Sequence, residues 1–268
     1  MKTPPRNRPR TATGKKNAGD AKSRKFQGAE GDDVLIWGLH AVQSAIENPQ
    51  RRPLEAWLTR NAAHRIGLDP DALPEYARLE EPRDIDRRVP DSAVHQGAVL
   101  RADPLEPADF DDVMISGDGP LVLLDQVTDP QNVGAVFRSA AAFGARAVIL
   151  QTRKAPPLSG SLAKAAVGAI ETVPECRVVN IARSIDALKD AGWHVVGLAG
   201  EAGTGIAEAF AQPRPLAIVL GPEGAGMRQL VAESCSQLAH IPILPGMESL
   251  NVSNAAAIAL YEAGRGRA

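Results

Sequence analysis

I-P-I-L-P-G-M-E-S-L-N-V-S-N-A-A-A-I-A-L-Y-E-A, residues 241–263, runs from an apolar segment through a Pro-Gly turn to Ser249, Leu250, Asn251 and Ser253, then into an alanine-rich helix. A loop that delivers small polar side chains and unpaired backbone N–H groups to a helix start is suited to holding a ligand. Upstream of it, apolar runs alternate with helical segments. Strands are expected at 121–125, 147–150, 194–199, 216–221 and 240–244, all nearly continuous in apolar residues. Such strands are buried on both faces, which implies a parallel sheet covered by helices. The helices are expected at 133–143, 162–170, 185–191, 227–235 and 254–263, and Gly144, Gly192 and Gly264 stand just past three of them as stop signals. The fold class is therefore α/β with a parallel sheet. Its ligands belong at the carboxyl ends of the strands.

Two further loops occupy such positions. In D-Q-V-T-D-P-Q-N-V-G-A-V-F-R-S-A-A-A-F-G, residues 125–144, Asn132 is placed to cap the following helix. Arg138 lies six positions on, nearly two turns along, and is expected not far from the same face. A lone Arg on a helix is commonly a solvated charge, but a strand-loop junction with a polar cap favours a functional role. In V-L-G-P-E-G-A-G-M, residues 219–227, glycine and proline form a tight loop whose backbone can approach a ligand closely. Its GxxGxG spacing differs from the dinucleotide fingerprint GxGxxG. Glu223 would repel phosphates, which favours a hydroxyl-bearing or cationic ligand such as a sulfonium. A plain turn with an exposed Glu is the alternative.

Ahead of these motifs lies a smaller α/β unit. A strand is expected from Asp33 through V-L-I-W-G, a helix at 39–47, a strand at 55–59, a short helix at 71–79 interrupted by Pro74, and a strand at 94–102. The Asp-, Pro- and Gly-rich stretch 103–120 then reads as a hinge. The whole chain has 268 residues, 44% apolar, enough for one large domain or two ordinary ones. Aromatics are only 4%, so base-stacking platforms do not dominate, and Trp37, Trp57 and Trp193 read as core.

Net charge of -2 conceals an asymmetry. The first 28 residues carry nine Lys and Arg against Asp20 alone, net +8, so the remaining 240 carry -10. Such an arm has too few apolar residues to fold by itself. It is either a tether for RNA phosphates or a solubilising tail. No run of about 18 apolar residues exists, so no membrane span is expected and a cytoplasmic location is. Cys176 and Cys235 lack metal-ligand spacing and read as free thiols, and the five His have no paired ligand geometry. No metal site is expected.

Asn132, Gly134, Arg138, Ser139 and Ala140, then Gly221-Pro222-Glu223-Gly224, then Ser249-Leu250-Asn251-Val252-Ser253 resemble, in order, the three motifs of the SpoU-type branch of the SPOUT RNA 2′-O-ribose methyltransferases. Gly38-Leu39-His40-Ala41-Val42, His95-Gln96-Gly97 and Pro104-Leu105-Glu106 resemble the small L30e-like domain ahead of the catalytic domain in bacterial 23S ribosomal RNA guanosine 2′-O-methyltransferases. The resemblance spans about residues 33 to 263. Ile243 replaces a frequent Met, and Pro245 stiffens the third motif.

The resemblance leaves outside it the arm at 1–32, expected from composition to be disordered, and implies an RNA substrate-binding domain at 33–105, a linker at 106–119, and at 120–268 a SPOUT domain with a deep C-terminal trefoil knot. It implies a homodimer that uses S-adenosylmethionine and no metal to methylate a ribose 2′-hydroxyl of 23S ribosomal RNA, with transfer RNA as the other candidate substrate. Ala199, Gly221, Ile241 and Leu250 would hold the methyl donor. Asn132, Arg138, Glu223, Ser249 and Asn251 would form the catalytic, acceptor side. Two other classes stay open: a different Rossmann-like methyltransferase or nucleotide enzyme, and a noncatalytic dimeric RNA-binding module.

Overall fold

The computed structural model describes Met1 and residues 33–158, 160–244 and 249–265. The rest of the basic arm, and Pro245 in the third motif, lie outside the described residues.

Two sheets organise the chain. The first is mixed, with order β1-β4-β2-β3, and is built from β1 (Val34–Trp37), β2 (Pro53–Leu58), β3 (Ala77–Leu79) and β4 (Ala98–Ala102). Between them run α1 (Leu39–Glu47), α2 (Arg60–Arg65) and α3 (Pro82–Ile85). The expected helix at 71–79 is absent: turns lead into β3, because Pro74 removes a backbone donor and Ala77–Leu79 pairs in parallel with β2. Motif residues of this unit have structural partners. The Gln96 side chain accepts from the Leu39 N–H at the start of α1, and His95 Nδ1 accepts from the Gly97 N–H while Nε2 faces Asp86 at 2.9 Å.

Within the stretch read as a linker the chain forms α4 (Phe110–Ile115), capped by the Asp109 side chain, and Ala108 bridges to Cys176. The second sheet follows. Its strands are β5 (Leu121–Leu124), β6 (Ala147–Gln151), β7 (Glu175–Val178), β8 (His194–Leu198), β9 (Leu216–Leu220) and β10 (Gln237–Ala239). All pair in parallel, in the order β10-β8-β9-β5-β6-β7. The helices are α5 (Pro130–Ala142), α6 (Gly160–Ala166), α7 (Ile181–Asp190), α8 (Ile206–Ala209), α9 (Gln229–Ser234) and α10 (Val252–Gly264).

Alternation along β5 divides the core. Val122 and Leu124 pack in the layer with α5, α6 and α10, whereas Leu121 and Leu123 pack with α4, α7 and α9. All four are at most 1% exposed, as strands covered on both faces require. Two strands differ from expectation. β7 carries Glu175 and Arg177, which pair with each other at the sheet edge and hide its apolar character. β10 ends at Ala239, so the apolar run 240–244 is loop rather than strand.

The two sheets are packed together rather than strung on a tether. A side chain at Gly160 would strike the Trp37 ring at 2.6 Å, and one at Gly168 would strike Ser44 Oγ. Arg51 crosses the same boundary to pair with Glu171, both side chains at most 2% exposed.

Candidate active site

The carboxyl edge of the second sheet gathers the motif loops. β10, β8 and β9 are neighbours, so Ala199, Gly221 and Ile241 emerge from adjacent strand ends. The Ala199 N–H donates to the Ala239 carbonyl at 3.0 Å, and the His240 N–H to that of Thr204 at 2.8 Å, which ties the third motif to the loop after β8. From edge strand β10 the chain then travels back to α5. There the Asn251 side chain meets the other two motifs.

Asn251 Nδ2 donates to Asn132 Oδ1 at 3.0 Å and reaches Glu223 Oε2 at 3.4 Å. Its own oxygen accepts from the Ser253 N–H at 2.9 Å and the Ser253 hydroxyl at 2.6 Å, so Asn251 is the N-cap of α10. One amide thus joins three segments separated by 119 and 28 residues. Asn132 is not the cap of α5. Asp129 takes that role, accepting from the Gln131 and Asn132 N–H groups, while Pro130 occupies the first helical turn.

Arg138 stands apart. Its side chain is exposed and has no hydrogen bond or ion pair among the described residues. Six positions turn a helix through about 600°, which leaves Arg138 about 120° from Asn132 rather than on its face. Ser249 is exposed and likewise unpartnered among the described residues.

Ile241 and Leu250 are half-buried. Neither they nor 242–244 make a backbone hydrogen bond to another described residue. Gly221 is fixed by contact: a Cβ there would lie 2.3 Å from the Gly226 carbonyl carbon and the Met227 nitrogen.

The profile of the SpoU rRNA Methylase family matches residues 119–261, more than half of the chain. The chain belongs to the SpoU rRNA methylase family. It is similar to the 23S rRNA (guanosine-2'-O-)-methyltransferase RlmB of Vibrio cholerae, 40% identical over 248 residues that cover 87% of this chain and 97% of that enzyme. The Escherichia coli enzyme of the same name is 38% identical over 245 residues, covering 87% of this chain and 98% of that one. In fold it is similar to the SpoU methyltransferase AviRb of Streptomyces viridochromogenes, with a TM-score of 0.72, 22% identity, and coverage of 88% of this chain and 91% of that one.

One pair in this SpoU-family site escaped the sequence reading. Asp125, directly after β5, is fully buried, and its carboxylate takes Arg228 Nη2 at 2.6 Å, Nε at 2.9 Å and the Arg228 backbone N–H at 3.0 Å. A charge ending the run L-V-L-L was the available signal; its partner lies 103 residues away. The cysteines take no part: burial pushes the thiols of Cys176 and Cys235 up to about 12, so both stay protonated. Among the described residues of this SpoU-family chain, no helix is long and apolar enough to cross a membrane, and no cluster of three or more His, Cys, Asp or Glu could hold a metal ion.

Proposed function

We propose that this protein transfers the methyl group of S-adenosylmethionine to the ribose 2′-hydroxyl of a guanosine in 23S ribosomal RNA, in the cytoplasm and as a homodimer. The observation that carries the reading is the Asn251 amide, which joins Asn132 of the first motif and Glu223 of the second at the carboxyl edge of a parallel sheet. A noncatalytic RNA-binding module would have no need of that convergence, and the 40% identity with RlmB extends through nearly the full length of that enzyme.

The donor would lie against Ala199, Gly221, Ile241 and Leu250. The backbone groups at 241–244 and 250, which have no backbone partner among the described residues, suit a nucleoside read by main-chain hydrogen bonds, and the carboxylate of Glu223 suits a nearby cation. When bound, S-adenosylmethionine supplies a methyl group on a cationic sulfur, open to in-line attack by an oxygen. The chain's task is then to hold that oxygen in line and to accept its proton. Asn132, Glu223, Ser249 and Asn251 orient the ribose. A guanidinium is a poor base, and Arg138 clamps the adjacent phosphate.

The outer faces of α5 and α10 are the proposed dimer surface. Phe143 and Tyr261 meet edge to face at 6.0 Å there, and Ile258 and Tyr261 are 39% and 58% exposed. Arg138 lies on the exposed side of α5, where it would complete the acceptor side of the partner copy. The return of the chain from edge strand β10 past the loops after β8 and β9 supports a trefoil-knotted path in 120–268. Residues 33–105 would be an L30e-like domain that receives the RNA, joined through 106–119, with the arm at 1–32 adding affinity for phosphates.

The test is incubation with labelled S-adenosylmethionine and unmethylated 23S ribosomal RNA or transfer RNA, followed by mapping of the 2′-O-methyl group. A single labelled guanosine in 23S ribosomal RNA is expected. Label confined to transfer RNA would overturn the substrate, and no label in either despite donor binding would overturn the reaction.

A further inference from the structure

We infer that Asp125 and Arg228 are positioning residues for the methyl donor: their pair clasps the 221–226 loop into the path on which its backbone receives that donor. The inference rests on the donor-binding reading of Gly221 above.

The loop between β9 and α9 closes on itself. Gly221 at its entry is packed against the backbone of Gly226 and Met227, too close for any side chain, and the Gly226 N–H donates to the Pro222 carbonyl at 3.0 Å. Gly224 and Gly226 adopt φ of 77° and 66°, values that L side chains rarely take. A segment so rich in glycine has many alternative conformations and needs an external anchor. Asn251 reaches it through the Glu223 side chain at 3.4 Å, a contact that brings the motifs together but does not hold the loop's backbone.

Asp125 is that anchor. Its N–H donates to the Leu220 carbonyl at 2.8 Å, extending the register of β5 and β9 to the residue before Gly221. Its carboxylate, fully buried, holds the loop's exit through both the backbone and the guanidinium of Arg228. Entry and exit are therefore both fixed to β5. Because Gly221 and Glu223 share this loop, the clasp sets the donor-side backbone and an acceptor-side carboxylate together. Arg228 itself is committed to Asp125 and acts through it.

The test measures S-adenosylmethionine affinity by calorimetry without RNA, RNA affinity by filter binding, and thermal melting. Arg228→Ala is expected to weaken donor binding about tenfold or more through lost preorganisation, with RNA affinity within about twofold of wild type. Arg228→Lys, which keeps one charged donor but not the paired geometry, should recover part of the loss. The double variant Asp125→Asn/Arg228→Met leaves no lone charge buried, so melting should return toward wild type while donor affinity stays weak. Recovery of donor affinity together with melting would overturn the inference, reducing the pair to a stability element. Gly221→Ala separates this inference from the reading beneath it. If Gly221→Ala loses donor binding and Arg228→Ala keeps it, only the inference falls; if Gly221→Ala binds normally, the donor loop itself is misplaced and the inference falls with it.

Discussion

Arg51 and Glu171 meet across the boundary between the two sheets in a two-pronged pair, Nη2 to Oε1 at 2.8 Å and Nε to Oε2 at 3.2 Å, while Asn48 adds a third donor to the same carboxylate. The remaining Arg51 nitrogen donates to the Asp103 carbonyl. Every Arg51 nitrogen is engaged and both side chains are buried, which makes the pair costly to break from one side. Glu171→Gln should destabilise the protein by about 3–5 kcal/mol, because it leaves a guanidinium buried without a countercharge. Calorimetry should then show the 33–102 unit melting ahead of the rest, where the wild type is expected to melt in one transition. A single unshifted transition in Glu171→Gln would mean that the units are held by their apolar contacts alone.

Asn251 has two duties that substitution can separate. Asn251→Ala removes the cap of α10, at about 1 kcal/mol, along with the amide bridge. Asn251→Asp keeps a capping oxygen but presents a carboxylate to Glu223 in place of an N–H donor. Its melting temperature should stay near wild type while turnover falls about tenfold or more. Wild-type turnover in Asn251→Asp would remove the bridge from the mechanism.

The framework of the second sheet was legible because its strands are buried on both faces: the runs that became β5, β6, β8 and β9 need no charge pattern to be recognised. β7 was missed since Glu175 and Arg177 break its apolar run, and the 71–79 segment was misread because helix-forming residues there are overruled by pairing with β2. The site divides likewise. Asn132, Glu223 and Asn251, named from separate motifs, are joined in space. The partners of Asp125 and Arg51 lie 103 and 120 residues away, a separation that no local pattern reports.

The exposed position of Arg138 yields a complementation test. Arg138→Ala and Asn251→Ala should each be nearly inactive. If the protein dimerises as proposed, refolding the two variants together gives mixed dimers with one intact site each, so about a quarter of wild-type activity should return if the partner supplies the Arg. No recovery would mean that Arg138 serves its own subunit.

Burial pushes both thiols to about 12, so at pH 8 the reactive thiolate is only about one part in 10,000. A thiol reagent at that pH should leave the native protein unlabelled over hours and label two cysteines per chain once denaturant is added. Rapid labelling of the native protein would show that Cys235, the less buried of the two, opens to solvent.

The proposed reading of the donor by main-chain groups at 241–244 and 250, unpaired among the described residues, carries a consequence for anyone scanning this protein by mutation. Recognition written into the route of the backbone survives exchange of the side chains along it. An alanine scan of these positions would therefore report them as dispensable, and only changes that bend the route itself, a proline or a deletion, would expose what they do.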